Sequence, residues 1–221
     1  MTSFFSTVMR INFKTLFINF KYLSFSQAIK LPILISRKVR LMETHGSIII
    51  EGEIKPGMIK IGYGQIGVFD RKYSRSILEI RGRLIFRGVA RIGQGCKINI
   101  GDRATLTIGD NFVVRAETTI ACHQGITIGN GCLFSWQIQV MDTDFHKIKN
   151  LQGEIINPPE EIIIENNVWI GSRCTILKGS EIAEGTVIAA CSTVNKSFTN
   201  KNVILGGVPA KILTTGISWE K

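Results

Sequence analysis

The sequence predicts a mostly β protein whose short strands wind into a coil, and three observations support this fold class. Over residues 46–214, isoleucine and valine far outnumber the strong helix formers, which favours strands. The 22 glycines are spread along the 221-residue chain, as expected for many turns. An aliphatic residue also returns at every sixth position over long stretches, a period that fits neither a helix nor simple strand alternation.

The six-residue period is clearest in the C-terminal part of the chain. A small or β-branched residue stands four positions after each of the first five aliphatic residues there. A triangular prism explains this pattern, because each flat side needs one bulky inward side chain and then a small one. The aliphatic positions are Ile164, Ile170, Ile176, Ile182, Ile188 and Val194, and the small positions are Val168, Cys174, Ser180, Thr186 and Ser192.

Upstream of residue 141 the period continues with phase slips. One series contains Ile108, Val114, Ile120 and Ile126, and the next contains Ile128, Phe134 and Val140. Recurrent Ile-Gly units at Ile92, Ile100, Ile108 and Ile128 are expected to mark corners of the prism. We therefore predict a coil over residues 46–214, an N-terminal arm over 1–45, a loop inserted at 141–163 and a tail over 215–221.

The N-terminal arm is strongly basic, and we expect it to be helical. Its first 40 residues contain no Asp or Glu and hold most of the formal net charge of +10. Two interpretations stay open: a solvated arm whose aromatic residues dock on the main body, or an attachment to an anionic membrane surface. Nucleic-acid binding is disfavoured, because no recognition motif accompanies the charge. The residues concerned are Arg10, Lys14, Lys21, Lys30, Arg37, Lys38 and Arg40, with Phe4, Phe5, Phe13, Phe17 and Phe20.

Cysteine usage and hydropathy indicate in which cellular compartment the protein is expected. The five cysteines are odd in number and form no C-x-x-C pair, so neither a disulfide framework nor a zinc ribbon is expected. No stretch approaches the ~18 apolar residues of a spanning helix, and the N-terminus does not resemble a signal peptide. We expect a cytoplasmic protein, with or without peripheral contact at the inner face of the membrane.

The inserted loop carries the most chemistry. The six-residue period stops for more than twenty residues after Val140, and a long break in a regular coil is usually functional. The loop contains Asp142, Asp144 and His146. Histidine titrates near neutrality and therefore suits a general base. The other two histidines are less suited: His45 precedes the predicted coil, and His123 stands at an expected corner.

Four stretches together resemble one family. They are MDTDFH (141–146), NVWIGSRCTILKG (167–179), VIAACSTV (187–194) and GGVPAKIL (206–213). Residues 46–214 are similar to the hexapeptide-repeat acyltransferases, in the maltose, galactoside and polysaccharide O-acetyltransferase branch. The resemblance implies a left-handed parallel β-helix, a homotrimer with sites between subunits, and acetyl-CoA as co-substrate without a metal. It makes His146 the base that activates a sugar hydroxyl, and Asp142 or Asp144 can orient its ring.

The resemblance also implies positions for the co-substrate. Gly171 and Ser172 are the expected oxyanion donors through their backbone N–H groups. Asn195 stands where threonine is common in the family, and residues 197–202 are one residue longer than usual. The residues expected to contact acetyl-CoA are Trp169, Ser172, Ala190, Asn195, Lys196 and Lys211.

The acceptor side carries less information. Arg115, Glu117 and Trp136 come shortly before the loop, and they either line a sugar site or decorate an outer face. Transfer to an amino sugar, to serine or to a xenobiotic remains an alternative, as does a scaffold without activity. A zinc enzyme of the same coil is disfavoured, because its three-histidine site needs two closely spaced histidines.

Overall fold

The computed structural model describes residues 10–70 and 72–221, so Phe4 and Phe5 of the expected aromatic arm lie outside the described residues. Within this part the chain forms two α-helices and 22 β-strands. The helices are α1 (Phe13–Tyr22) and α2 (Phe25–Ala28). The strands lie in three sheets of nine, seven and six members, here called A, B and C.

The chain visits the three sheets in turn. Sheet A contains β1 (Ile33–Ile35), β4 (Ile59–Ile61), β7 (Ala90–Gln94), β10 (Phe112–Ala116), β13 (Leu133–Trp136), β16 (Trp169–Ile170), β19 (Val187–Ile188), β21 (Val203–Gly207) and β22 (Ala210–Thr215). Sheet B contains β2 (Val39–Leu41), β5 (Ser76–Ile80), β8 (Lys97–Ile100), β11 (Thr119–Cys122), β14 (Gln139–Met141), β17 (Thr175–Leu177) and β20 (Thr193–Val194). Sheet C contains β3 (Ser47–Ile50), β6 (Arg83–Phe86), β9 (Thr105–Ile108), β12 (Gly125–Ile128), β15 (Ile162–Ile164) and β18 (Glu181–Ile182).

Strand pairing confirms the predicted β-helix. From β1 to β20, strands three places apart pair in parallel, as in Ile120 with Val140 and Val140 with Ile176. Each coil therefore contributes one strand to each sheet, and the backbone hydrogen bonds run between coils. The last strand, β22, turns back and pairs antiparallel with β21.

The interior of the prism is built as the six-residue period predicts. The six aliphatic positions from Ile164 to Val194 are all completely buried, and the five small positions between them are at most 1% exposed. The earlier coils fill the interior with larger rings: Phe112 and Phe134 meet edge to face, with ring centroids 5.0 Å apart. Bulky and small inward residues alternate because the narrow interior has room for little else.

The coil starts earlier than predicted. The boundary at residues 45 and 46 is wrong, because β1 and β2 already pair in parallel with β4 and β5. Helix α1 explains why the sequence hides this first coil. It packs along the open edge of β1, and all three residues of β1 are buried, so the usual alternation disappears. The helical arm is thus restricted to residues 13–28 of the described chain.

Helix α1 presents its polar face inward. The Asn19 side chain donates to the carbonyl of Ile33 (2.7 Å) and accepts from the N–H of the same residue (3.2 Å). The Thr15 hydroxyl accepts from the N–H of Ile35 (3.0 Å). Both side chains are completely buried, whereas Phe13 and Phe20 on the same helix are exposed. The helix therefore satisfies the backbone of β1 in place of a neighbouring strand.

Two further features differ from the sequence predictions. The Ile-Gly unit at Ile92 is not a corner, because β7 runs straight through it. Gly93 stands there because a Cβ would collide with the backbone carbonyl of Arg115 on the next strand. In addition, residues 62–70 and 72–75 leave the coil between β4 and β5, a second excursion that the sequence pattern did not reveal.

No helix within residues 10–70 and 72–221 is long and apolar enough to cross a bilayer. At the other end of the chain, the tail folds back along the corner between sheets C and A. The Trp219 indole donates to the carbonyl of Asn167 (2.7 Å), and the Lys221 ammonium donates to that of Asn111 (2.6 Å).

Candidate active site

The loop that carries His146 leaves the coil after β14, at the corner between sheets B and C. Asp142 fixes this point. Its side chain is completely buried and accepts the backbone N–H groups of His123 (2.7 Å), Gln124 (2.8 Å) and Gly125 (2.8 Å). Both carboxylate oxygens are therefore occupied by the corner of the preceding coil. Asp142 anchors the loop and forms no hydrogen bond to the His146 ring.

Asp144 holds the next part of the loop. Its carboxylate accepts from the Lys178 ammonium (2.7 Å) and from the Asn157 amide (2.9 Å). These contacts, with Lys178 the stronger, hold the pKa of Asp144 below its ordinary value. Asn157 also donates to the carbonyl of His146 (2.9 Å) and accepts from the N–H of Ile148 (2.6 Å). One amide thus ties the outgoing and returning branches of the loop together.

His146 projects from this fixed backbone. Its N–H donates to the carbonyl of Asp144 (2.7 Å), and its side chain is exposed. The preceding residue, Phe145, has a φ of +60° and packs its ring against His123 with centroids 4.9 Å apart. Among the described residues, no hydrogen bond or ion pair engages the His146 ring, so both ring nitrogens are open to a substrate.

The residues expected to contact acetyl-CoA lie on another side of the prism. Trp169 is 37% exposed on the outer face of sheet A, and its indole donates to the Ser135 hydroxyl (3.2 Å). Ser172 and Ala190 stand on neighbouring coils at the corner between sheets A and B, where the N–H of Cys191 donates to the Ser172 carbonyl (2.9 Å). Asn195, Lys196 and Lys211 are exposed near the C-terminal end of the coil.

The two expected oxyanion donors differ. The N–H of Gly171 donates to the carbonyl of Ile188 (2.8 Å), so this group is already used between coils. A Cβ at Gly171 would lie 2.7 Å from the backbone nitrogen of Ala190, which explains the glycine by packing. The N–H of Ser172 has no hydrogen-bond partner within the part of the chain that the structure describes. Of the pair, only Ser172 can donate to a substrate without breaking a coil contact.

The three expected acceptor residues do not form one site. Arg115 lies on the outer face of sheet A, in a cleft beneath residues 62–75. Glu117 accepts from the Ser74 hydroxyl and thereby ties down the end of that excursion. Trp136 faces Ser172, across a cavity of about 450 Å³ that Val68 and Phe69 help to line. Trp136 is thus near the expected acetyl-CoA residues, and Glu117 is engaged elsewhere.

His146 and Ser172 do not meet within one chain. His146 follows a strand of sheet B, at the corner with sheet C, whereas Ser172 precedes a strand of sheet B, at the corner with sheet A. The width of sheet B therefore separates them.

The two remaining histidines are engaged by neighbouring side chains, and most of the cysteines are buried. His45 lies 3.2 Å from Asp102, and His123 lies 2.6 Å from the Asn99 side-chain oxygen. Four of the five cysteines are buried, and all five are free thiols. Burial raises the pKa of the Cys132 thiol to about 11. Residues 10–70 and 72–221 contain no group of three His, Cys, Asp or Glu side chains that could hold a metal ion.

Comparison with known proteins assigns the chain to a family. The family model described as bacterial transferase hexapeptide (six repeats) matches residues 161–196. The galactoside O-acetyltransferase of Escherichia coli K12 is 31% identical over 145 residues, which cover 62% of this chain and 70% of that protein. The chain belongs to the hexapeptide-repeat acyltransferase family. The family predicted from the four sequence stretches is therefore confirmed.

Two further proteins are similar to this chain. The polysialic acid O-acetyltransferase of Neisseria meningitidis is 35% identical over 134 residues, and this chain spans 59% of its length. The crystal structure of the polysialic-acid-specific acetyltransferase NeuO superposes with a TM-score of 0.54 at 24% identity, covering 86% of this chain and 75% of that one. This likeness establishes the fold alone, and the predicted left-handed β-helix is confirmed.

Proposed function

We propose that the protein is an O-acetyltransferase that moves the acetyl group of acetyl-CoA to a hydroxyl of a sugar or of a glycan precursor. The observation that carries this proposal is the exposed, unengaged ring of His146 on a loop fixed by Asp142, Asp144 and Asn157. Family membership supports it. The names of the relatives support the chemistry, since they are O-acetyltransferases of galactosides and of polysialic acid.

In the proposed reaction, one nitrogen of the His146 ring accepts the proton of the acceptor hydroxyl while the hydroxyl oxygen attacks the thioester carbonyl. The C–O bond forms, and the carbonyl electrons move to the oxygen. The N–H of Ser172 donates to this oxyanion. The intermediate then collapses, the C–S bond breaks, and the imidazolium returns its proton to the departing thiolate. The products are the acetyl ester and free CoA.

Acetyl-CoA would lie along the outer face of sheet A near Trp169, with the small side chain of Ala190 admitting its thin arm. Lys196 and Lys211 would meet its phosphates as point charges, and Asn195 would lie beside them. These residues fit the co-substrate because they are exposed on one end of the coil. His146 would come from a neighbouring subunit of a homotrimer, since sheet B separates it from Ser172 in a single chain.

The decisive test incubates the protein with acetyl-CoA and a panel of sugars and bacterial polysaccharides, with acetylated products measured by mass spectrometry. His146→Ala should lower kcat by about 10²–10⁴-fold. The matched control is His123→Ala, at the same corner, which should retain most activity. Transfer that survives loss of His146 would contradict the mechanism, and absence of acetyl-CoA binding would favour a scaffold. Amide products instead of esters would place the activity with the N-acetyltransferases.

A mixing experiment tests the shared site. Inactive His146→Ala and Trp169→Ala proteins are unfolded together and refolded as mixed oligomers. If each site uses His146 from one subunit and Trp169 from the next, about one quarter of the sites regain both groups after random mixing. Activity that does not return would contradict the arrangement between subunits.

We also propose that the N-terminal helices contact an anionic membrane surface. Phe13 and Phe25 are 80% and 74% exposed, and Phe20 is exposed beside them. The first 40 residues contain seven Lys or Arg and no acid, which complements an anionic surface. A docked arm would instead cover these rings, and the described main body leaves them open.

Flotation with vesicles tests this contact. Protein should float with phosphatidylcholine vesicles that contain phosphatidylglycerol and much less with pure phosphatidylcholine. The double change of Phe13→Ser and Phe17→Ser should abolish flotation. Leu151→Ser is the matched control, because Leu151 is fully exposed at the tip of the catalytic loop. Equal flotation of wild type and the double variant would contradict the proposal.

A further inference from the structure

A cleft lies beneath the excursion formed by residues 62–75, on the outer face of sheet A. Its volume is about 490 Å³. Four cations, Arg10, Lys60, Arg91 and Arg115, line it together with the ring of Tyr63. None of the residues that line this cleft is an Asp or a Glu. The cleft is therefore a concave surface of one charge sign.

Within the described part of the chain, these four cations have no acidic partner. Among the described residues, none of the nine ion pairs involves Arg10, Lys60, Arg91 or Arg115. Burial, and then the nearby charges of Arg10 and Arg91, lower the pKa of Lys60. Glu117, which directly follows the strand of Arg115, is bound to Ser74 and lies 3.9 Å from the Lys97 ammonium. Grouped like charges repel one another, and a bound anion would relieve that repulsion.

The sheet fixes the positions of these charges. Lys60 and Arg91 are register partners on neighbouring strands, and Arg115 lies one strand further on. Neighbouring strands are ~4.8 Å apart, so Lys60 and Arg91 stand side by side, and Arg115 lies two residues further along the next strand, beside Gly93. The Arg10 guanidinium lies over the Tyr63 ring, 5.1 Å from its centroid, and adds the fourth charge. Such a cluster suits a ligand that carries several negative charges.

The cleft shares its face with the expected acetyl-CoA site. Val113, which lines the cleft, is in register with Leu133, and Leu133 is in register with Trp169. Two strand spacings, ~10 Å, therefore separate the cleft from Trp169 along the axis of the coil. A chain of a few sugars spans this distance. Lys221 lies near Arg115: burial first, and Arg115 to a smaller extent, lower the pKa of Lys221, whereas Asp110 acts in the opposite direction.

We propose that this cleft is an acceptor subsite for an acidic glycan, in which Arg10, Lys60, Arg91 and Arg115 bind carboxylate, sulfate or phosphate groups of sugars next to the acetylated one. The inference rests on the proposed transferase function and names its substrate class. A neutral acceptor would have no use for four unpaired cations on the face that leads to the reacting group.

Direct binding tests the cleft without depending on catalysis. Hyaluronan provides a carboxylate repeat, dextran sulfate provides sulfate groups, and neutral dextran is the uncharged reference. Titration calorimetry without acetyl-CoA should show binding of at least one acidic polymer and none of dextran. The double change of Lys60→Glu and Arg91→Glu should weaken that binding at least tenfold. The matched control is Arg83→Glu with Arg103→Glu, which changes the net charge equally at exposed sites away from the cleft.

Several outcomes would overturn the proposal. Equal weakening by both double variants would mean that the overall positive charge of the protein, and not the cleft, binds polyanions. The same conclusion would follow if the wild-type protein bound a DNA duplex as tightly as it binds the acidic polysaccharide. A loss of acetyl-CoA affinity in the Lys60 and Arg91 variant would assign the cleft to the phosphates of the co-substrate. Efficient acetylation of neutral sugars alone would reject an acidic acceptor while leaving the transferase function intact. An inactive protein that still binds the acidic polymer through the cleft would reject the transferase function alone.

Discussion

Two segments leave the coil, and they differ in how they are held. The loop proposed to be catalytic, residues 142–161, is anchored by charged groups: the buried Asp142 carboxylate and the pair of Asp144 with Lys178. The excursion at residues 62–70 and 72–75 is held by hydroxyl contacts near both of its ends, from Tyr63 to the carbonyls of Arg10 and Ile35 and from Ser74 to Glu117, and by a local turn at Asp70. The first stands away from the coil and exposes His146, and the second lies back over sheet A and encloses a cleft.

The anchors decide what an interruption of the coil can do. Charged anchors at the base of the first segment leave its distal residues exposed and yet fixed, as the proposed role of His146 requires. Hydroxyl anchors near both ends of the second segment hold it against sheet A, where it covers a cleft. Four changes test this difference.

The largest effect is expected at Asp142. Asp142→Asn removes the charge that accepts three backbone N–H groups and should lower the free energy of unfolding by about 2–3 kcal/mol. Urea denaturation measures the change. Asp144→Asn is the control, because its half-exposed pair with Lys178 should contribute at most ~1 kcal/mol. Equal losses in the two variants would refute the special role of the buried anchor.

The next effect concerns the geometry of the base. Asn157→Ala removes the amide that holds the carbonyl of His146 and the carboxylate of Asp144, and it should lower kcat roughly 10–100-fold through misplacement of the ring. The KM for acetyl-CoA should not change. Asn150→Ala disturbs only the tip of the same loop, where Asn150 binds Glu154, and should leave kcat within about twofold. A similar loss in both variants would show that any disturbance of the loop is harmful.

A smaller effect is expected in the other excursion. Ser74→Ala removes the hydroxyl bound to Glu117 and should cost about 1 kcal/mol of stability. It should also speed tryptic cleavage after Lys72, which lies in the loosened segment, while acetylation of a small sugar continues at the normal rate. Ser197→Ala, at an exposed serine, is the control. Unchanged cleavage at Lys72 would mean that the Tyr63 contacts and the local turn at Asp70 hold the segment without Ser74.

The smallest effect is a pH dependence of the catalytic loop. Because the folded protein lowers the pKa of Asp144, the pairing with Lys178 stabilises the loop fully above the ordinary Asp pKa of about 3.9. That stabilisation is lost as the pH falls through the lowered value. Hydrogen exchange of residues 142–161 should therefore become equal in wild type and Asp144→Asn at low pH and differ at neutral pH. A constant ratio between the two proteins would reject this linkage.

The sequence predicts the C-terminal coils well because their geometry is repetitive. Each interior position from Ile164 to Val194 has the same steric demand, and the same residue types recur at each. The catalytic loop is visible as a break in that regularity. The first coil and the excursion at 62–75 are hidden, because all three residues of β1 are buried and the period is irregular upstream.

The candidate site can be predicted only in part from the sequence, for a related reason. His146 belongs to a recognisable stretch, but its supports Asn157 and Lys178 are contacts across the loop with no fixed sequence spacing. Their residue types give no signal, although Asn157 directly precedes the Pro158–Pro159 pair. The basic cleft is equally hidden, since Arg10, Lys60, Arg91 and Arg115 come from four separate parts of the chain. Only folding brings these charges together.

The hydrogen bonds of α1 to β1 also have a consequence for assembly. A stack of parallel strands has no natural end, and a bare first coil would accept the strands of another molecule and extend into a filament. Asn19 and Thr15 occupy the backbone groups of Ile33 and Ile35 that such a neighbour would use. At the other end, β22 reverses direction and covers β21. The protein therefore blocks end-to-end polymerisation of sheet A at both of its edges.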